Sequence, residues 1–124
     1  MFEIKSNMNL RVYGIKNCNT MKKTFDFLES EGIEYEFIDY KKQAPDAALL
    51  VKFADKVGFE ALINKRGTTY RKLDDVDKEK LDSERSALAV LAEKSSMIKR
   101  PIVEFPNGNL VLGFEPDQIK EKME

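Results

Sequence analysis

Residues 10 to 38 read as a strand, a turn, a helix and a second strand, and that succession leaves few folds open. Leu10 to Tyr13 is a short apolar run that ends at Gly14. Met21, Phe25 and Leu28 then recur at helical spacing, with Gly32 as a stop after Glu31. Residues 33–38 set Ile33, Tyr35 and Phe37 against Glu34 and Glu36, which is the period of a half-buried strand. Two strands joined through a helix pair in parallel, because a tight turn can only return the chain antiparallel.

The remainder supplies a helical stretch and a hairpin. Pro45-Asp46 opens a helix with Leu49, Leu50, Phe53 and Val57 on its apolar face and Gly58 as its stop. Residues 65–73 are basic and turn-rich, and Asp74 to Asp82 reads as a short solvated helix. Ser83 or Ser86 caps a helix displaying Leu88, Leu91 and Ala92. Ile102 to Phe105 and Leu110 to Phe114 flank Pro106-Asn107-Gly108-Asn109, and Asn-Gly between apolar runs is a strong hairpin signal. Pro116 and Asp117 suit the first turn of a last helix holding Ile119 and Met123. Pro101, without an amide donor, fits a strand start or edge.

Cys18 stands at the first strand-to-helix junction, in Gly14-Ile15-Lys16-Asn17-Cys18-Asn19-Thr20-Met21-Lys22-Lys23, and is the only cysteine. The unpaired amides and positive dipole end of a helix favour a thiolate, which is the nucleophilic form of the side chain. Lys16, Lys22 and Lys23 add positive charge, while Asn17, Asn19 and Thr20 are turn and cap residues rather than core. A reactive thiol is the expectation, against the alternative of a small buried hydrophobe.

Composition excludes several chemistries. The chain has 124 residues, no histidine and one cysteine. It therefore has no Ser-His-Asp triad, no Cys-His pair, no imidazole metal site and no Cys-x-x-Cys pair. Neither a P-loop nor Gly-x-Gly-x-x-Gly occurs. A net charge of -1 gives no long-range attraction to a phosphate backbone, so direct nucleic-acid binding is not expected. No apolar run approaches a membrane span. A lone cysteine and the lack of a signal pattern in Met1 to Asn9 point to the cytoplasm. Residues 1–9 read as an N-terminal extension and 10–124 as a single domain.

The β-α-β unit, the ββα unit, the cysteine after the first strand and the proline opening the third resemble the thioredoxin superfamily. Within it the chain resembles the ArsC/Spx family, most closely its YffB-like branch. The resemblance rests on Tyr13-Gly14-Ile15-Lys16-Asn17-Cys18, on Arg66-Gly67-Thr68-Thr69-Tyr70-Arg71-Lys72-Leu73, on Ile98-Lys99-Arg100-Pro101-Ile102 and on Leu112-Gly113-Phe114, in that order. It implies a thioredoxin-like mixed α/β sheet with a helical insert, roughly Asp46 to Ser96, between the second and third strands. It also implies that Cys18 is the redox nucleophile, that Arg100 precedes a cis Pro101 beside the thiol, and that Arg100 stabilises the thiolate or an anionic ligand.

From the resemblance the expected function is a glutathione-dependent thiol reductase acting through a mixed disulfide, with glutathione as co-substrate and no bound cofactor or metal. Cys18 and Arg100 are the expected catalytic pair. Lys16, Asn17, Asn19, Thr20, Arg66 and Pro101 are the expected substrate or glutathione contacts, with Asn19 and Thr20 capping the cysteine helix. Two alternatives come with the family: an Spx-like regulator that binds RNA polymerase, and an arsenate reductase. Against the first, Spx proteins often carry Cys-x-x-Cys, whereas this chain has Cys18-Asn19-Thr20-Met21. Against the second, the arsenate reductases use three arginines, and only Arg100 aligns. The first of the three falls on Asn64, two residues from Arg66, and the last on Gly113.

Overall fold

The computed structural model describes residues 10–123; the extension expected at residues 1–9 lies outside them. The chain divides into two compact units, one made of the residues through Asp39 together with those from Arg100 onward, the other of Tyr40–Lys99.

The first unit holds the sheet. Its strands are β1 (Leu10–Gly14), β2 (Tyr35–Asp39), β3 (Ile102–Glu104) and β4 (Leu110–Leu112), and its helices are α1 (Asn19–Ser30) and a C-terminal helix, Pro116–Met123. The strand order is β2-β1-β3-β4. β1 and β2 pair in parallel with Val12 opposite Phe37, β1 and β3 antiparallel with Val12 opposite Val103, and β3 and β4 antiparallel with Val103 opposite Val111. This is the thioredoxin-like mixed sheet, parallel β-α-β followed by an antiparallel hairpin.

The register puts one set of alternate side chains into a common core. Leu10, Val12, Val103, Phe105 and Val111 pack with Met21 and Leu28 of α1, Ile33, and Ile119 of the last helix. Leu10, Val12, Met21, Leu28, Val103 and Ile119 are wholly buried, each contributing roughly 1.5 to 3 kcal/mol by leaving water. Leu28→Ala would therefore cost about 2 to 5 kcal/mol, transfer plus cavity. β2 begins at Tyr35, two residues later than its alternation suggested. Ile33 precedes the strand but keeps its buried side in the same cluster. α1 ends as expected, with Gly32 at φ 69° after Glu31.

The second unit is the helical insert. It contains α2 (Ala47–Val57), α3 (Thr68–Arg71), α4 (Asp75–Glu79) and α5 (Glu84–Glu93), which makes the C-terminal helix α6, and single 3-10 turns at Phe59–Leu62, Lys80–Asp82 and Ser95–Met97. Asp46 caps α2 by accepting from the Leu49 amide at 2.8 Å, and Gly58 ends it at φ 86°. α2 packs on α5. Three local expectations change. The basic segment 65–73 contains a one-turn helix rather than turns alone, and Asp74 to Asp82 splits into α4, capped by Asp74, and a 3-10 turn. Ser83 occupies the N-cap position of α5 without a side-chain cap bond, because its hydroxyl pairs with that of Ser86 at 2.8 Å. An unforeseen antiparallel bridge, Ile63 to Ile98, ties the end of the insert to its middle, flanked by Asn64 N–H to Met97 C=O and Lys99 N–H to Leu62 C=O, both 2.7 Å. Among the described residues no helix is long and apolar enough to cross a membrane.

Candidate active site

The end of β1 is built for close approach. A Cβ on Gly14 would stand 2.5 Å from Met21 Sδ, so glycine lets the buried Met21 side chain lie against the strand end, with Arg100 Cβ at contact distance beyond it. The chain then tightens, Cys18 N–H donating to Lys16 C=O at 3.2 Å, before Cys18 C=O accepts the first helical bond from Lys22 N–H at 3.0 Å. Cys18 is itself the N-cap of α1, with extended φ −149° and ψ 131°. Asn19 and Thr20 therefore do not cap the helix as expected: they are its first two residues, and no side chain closes a cap bond there.

Cys18 is half-buried, packed against the rim of the sheet core. Burial pushes its thiol up, but the Met21 amide, the Arg100 guanidinium and the Thr20 amide together outweigh this, so the net displacement is below the ordinary thiol value. Sγ closes no cap bond of regular geometry, yet these amides of the first turn face it, where an anion is stabilised by donors that lack helical partners. The cationic contribution comes from Arg100; Lys16 and Lys22 line the same depression as the thiol without acting on it.

Arg100 and Pro101 are joined by a cis peptide bond. Pro101 is buried, and its carbonyl accepts the Gly113 amide at 2.8 Å, one step beyond the last β3–β4 pair. Gly113 sits at φ 82°, a region that disfavours every residue with a Cβ.

Lys16, Asn17, Cys18, Asn19, Lys22, Phe25 and Asp26 line one depression of about 570 Å³. Lys16, Asn17 and Asn19 are among the contacts expected from sequence, and the structure adds Lys22, Phe25 and Asp26 to them. Their signal was the spacing: 18, 22 and 26 differ by four and fall on one stripe of a helix. Phe25 read as core, and it is half-buried, stacked on Tyr35 at 5.4 Å and edge-on to Phe37 at 5.0 Å. Thr20 contributes its amide to the thiol, and its carbonyl accepts the Thr24 hydroxyl at 2.8 Å. Arg66 belongs to the second unit, where it is exposed and its amide donates to Asn64 Oδ1 at 3.2 Å. A second depression, of about 590 Å³, is lined by Arg11, Ile33, Glu34, Tyr35 and Glu36 and contains no nucleophile. Among the described residues no group of three or more His, Cys, Asp or Glu gathers to hold a metal.

Known proteins resemble this chain in sequence and fold. The ArsC family model matches residues 13–122. An uncharacterized protein of Haemophilus influenzae is 42% identical over 111 residues, covering 90% of this chain and 96% of the relative. A protein of Rhizobium meliloti named arsenate reductase is 28% identical over 122 residues, covering 91% and 86%. The solved structure of a YffB protein superposes with a TM-score of 0.86 at 37% identity, covering 93% of this chain and 99% of that one. An arsenate reductase (ArsC) related protein from Brucella melitensis gives 0.74 at 42% identity, covering 95% and 97%.

Proposed function

The chain belongs to the ArsC family, and we propose that within it this protein is a thiol–disulfide reductase that works through one cysteine with glutathione as co-substrate. The carrying observation is Cys18 itself: a half-buried thiol at a helix N-cap whose charged form is favoured by the Met21 amide and Arg100. A thiol whose charged form is favoured in this way is a better nucleophile toward sulfur than a free thiol of ordinary acidity.

For a glutathionylated protein the cycle balances with the glutathione that the substrate carries and one free glutathione. Cys18 thiolate attacks one sulfur of a substrate disulfide; a bond forms between Cys18 and that sulfur, the original S–S bond breaks, and the departing thiolate takes a proton from water. Where the substrate is a glutathionylated protein, the sulfur retained on Cys18 is that of glutathione and the protein leaves as its thiol. A free glutathione thiolate then attacks the glutathione sulfur of the mixed disulfide, releasing Cys18 thiolate and oxidised glutathione. The resolving thiol has to be external, because the chain has no second cysteine. Arg100 serves as the cation that stabilises Cys18 when it is the attacking or the leaving thiolate. The surroundings this cycle needs are those of a reducing compartment, in keeping with a cytoplasmic location.

Oxyanion reduction is the weaker reading, although relatives carry the name arsenate reductase. Capture of a compact multiply charged anion beside a thiolate needs several fixed donors. The position that aligns with the third family arginine is Gly113, whose φ of 82° suits glycine rather than a residue with a side chain. The test is to incubate the protein with oxidised glutathione and locate the adduct by mass spectrometry. One glutathione on Cys18, removed by excess reduced glutathione, is the expected result; an unmodified Cys18 overturns the reading.

A further inference from the structure

The depression beside Cys18 has a charge pattern that thiolate stabilisation does not explain. Asp26 lines it and takes no part in stabilising the thiolate, whose favourable partners are the Met21 and Thr20 amides and Arg100. Lys22 lies one turn earlier on the same stripe, at the spacing that commonly pairs a lysine with an acid, yet among the described residues neither Lys22 nor Asp26 forms an ion pair. Both are exposed, and the half-buried ring of Phe25 lies between them in sequence, as part of the same lining. A cation, an anion and an apolar surface in one groove complement a zwitterion carried on a short methylene chain.

We propose that Lys22 and Asp26 read the γ-glutamyl end of glutathione, Lys22 donating to its α-carboxylate and Asp26 accepting from its α-ammonium while Phe25 underlies the methylenes. This rests on the reading of Cys18 as the sulfur that carries glutathione. The lengths agree. At 1.5 Å rise per residue, Lys22 and Asp26 lie about 6 and 12 Å along α1 from Cys18. Seven bonds separate the glutathione sulfur from the glutamyl α-carbon, which at extended-chain spacing is about 8 Å. The disulfide bond adds about 2 Å. The zwitterionic carbon therefore arrives between the two side chains when the arm runs along α1. The glycine end has no part in this recognition.

The chemical step is exchange: Cys18 thiolate attacks the disulfide of the probe, a bond forms between Cys18 and one probe sulfur, and the other half leaves as its thiol. The rate of Cys18 modification, followed by mass spectrometry, is compared for oxidised glutathione, the disulfide of γ-glutamylcysteine and the disulfide of cysteinylglycine. Each is divided by the rate with hydroxyethyl disulfide on the same variant. The division cancels any change in thiolate population that a charge substitution causes. Two charge-assisted contacts predict that wild type favours the first two probes over the third by at least about tenfold. Lys22→Glu and Asp26→Lys should each reduce that preference severalfold. Equal normalised rates for all three probes, or variants that keep the full preference, overturn the inference and leave the reductase reading standing. No modification of Cys18 by any of the disulfides overturns both.

Discussion

The amide of Gly113 donates to the carbonyl of Pro101 at 2.8 Å with Gly113 at φ 82°, and this one bond holds the proline that follows Arg100 to the end of the hairpin. The left-handed backbone makes the position specific for glycine. Gly113→Ala should destabilise the protein by about 1 to 2 kcal/mol, the cost of a Cβ in that conformation. Urea denaturation measures it. An alanine variant as stable as wild type would show that the hairpin end relaxes without penalty.

Arsenate should be a poor substrate for the same structural reason. Arg100 acts on the thiol, but the Gly113 position offers no side-chain donor, so a compact oxyanion lacks part of the donor set it needs. Turnover of arsenate with glutathione and glutaredoxin supplied, set beside turnover of a glutathionylated peptide, decides the matter. Efficient arsenate reduction abolished in Cys18→Ser would reverse the choice of substrate.

The pH dependence of Cys18 follows from the lowered thiol. Alkylation by iodoacetamide should rise with a midpoint below the free-thiol value of about 8.5. Arg100→Ala should shift the midpoint upward, because burial remains while a hydrogen bond and a charge are lost. The stability linked to this group has the sign of a depressed acid: it is present above the unfolded thiol value and lost as pH falls through the folded one. Lys78→Ala, whose ammonium lies over the Tyr70 ring at 5.3 Å in the second unit, should leave the midpoint in place. Identical profiles for wild type and Arg100→Ala would remove Arg100 from the site.

Tyr13 gives an alkaline signature. Its hydroxyl donates to the buried Glu104 at 2.7 Å, and burial together with that bond pushes it up to about 12. Tyr35, through burial and its bond to Glu29, is likewise pushed up to about 12. A raised folded value means that the stability from Tyr13 is complete below the ordinary phenol value of about 10 and is lost as pH climbs towards the folded one. Phenolate absorbance should show Tyr13 and Tyr35 titrating above the ordinary phenol range. Tyr13→Phe should remove part of that late component and cost about 1 to 3 kcal/mol at neutral pH, since Glu104 loses a buried donor.

Much of the first unit is legible in sequence, because its elements obey simple periods. Leu10–Tyr13, the Met21–Phe25–Leu28 spacing, the Tyr35–Phe37 alternation and the Asn107-Gly108 turn each name their element, and the parallel and antiparallel pairings follow. The insert is less legible. Its one-turn helix at Thr68–Arg71 is shorter than any periodic signal, and the Ile63–Ile98 bridge joins residues with no local pattern. At the site, Cys18 stands out as a polar-flanked cysteine at a strand-to-helix junction. That Cys18 itself is the N-cap, displacing Asn19 and Thr20 into the helix, depends on where the first bond closes, and boundaries of one or two residues are below what propensity resolves. Asp26 was invisible because an exposed acid on a helix carries no signal until the groove is seen.

The most direct test of the account is turnover of a glutathionylated peptide with reduced glutathione, comparing wild type, Cys18→Ser and Arg100→Ala. Wild type should release peptide thiol and oxidised glutathione in equal amounts through a Cys18–glutathione intermediate trapped by mass spectrometry. Cys18→Ser should be inactive, and Arg100→Ala should lose about tenfold or more, the worth of one charge-assisted contact. Release of peptide thiol at the same rate by Cys18→Ser, or by wild type no faster than by glutathione alone, would contradict the central claim that Cys18 is the redox nucleophile.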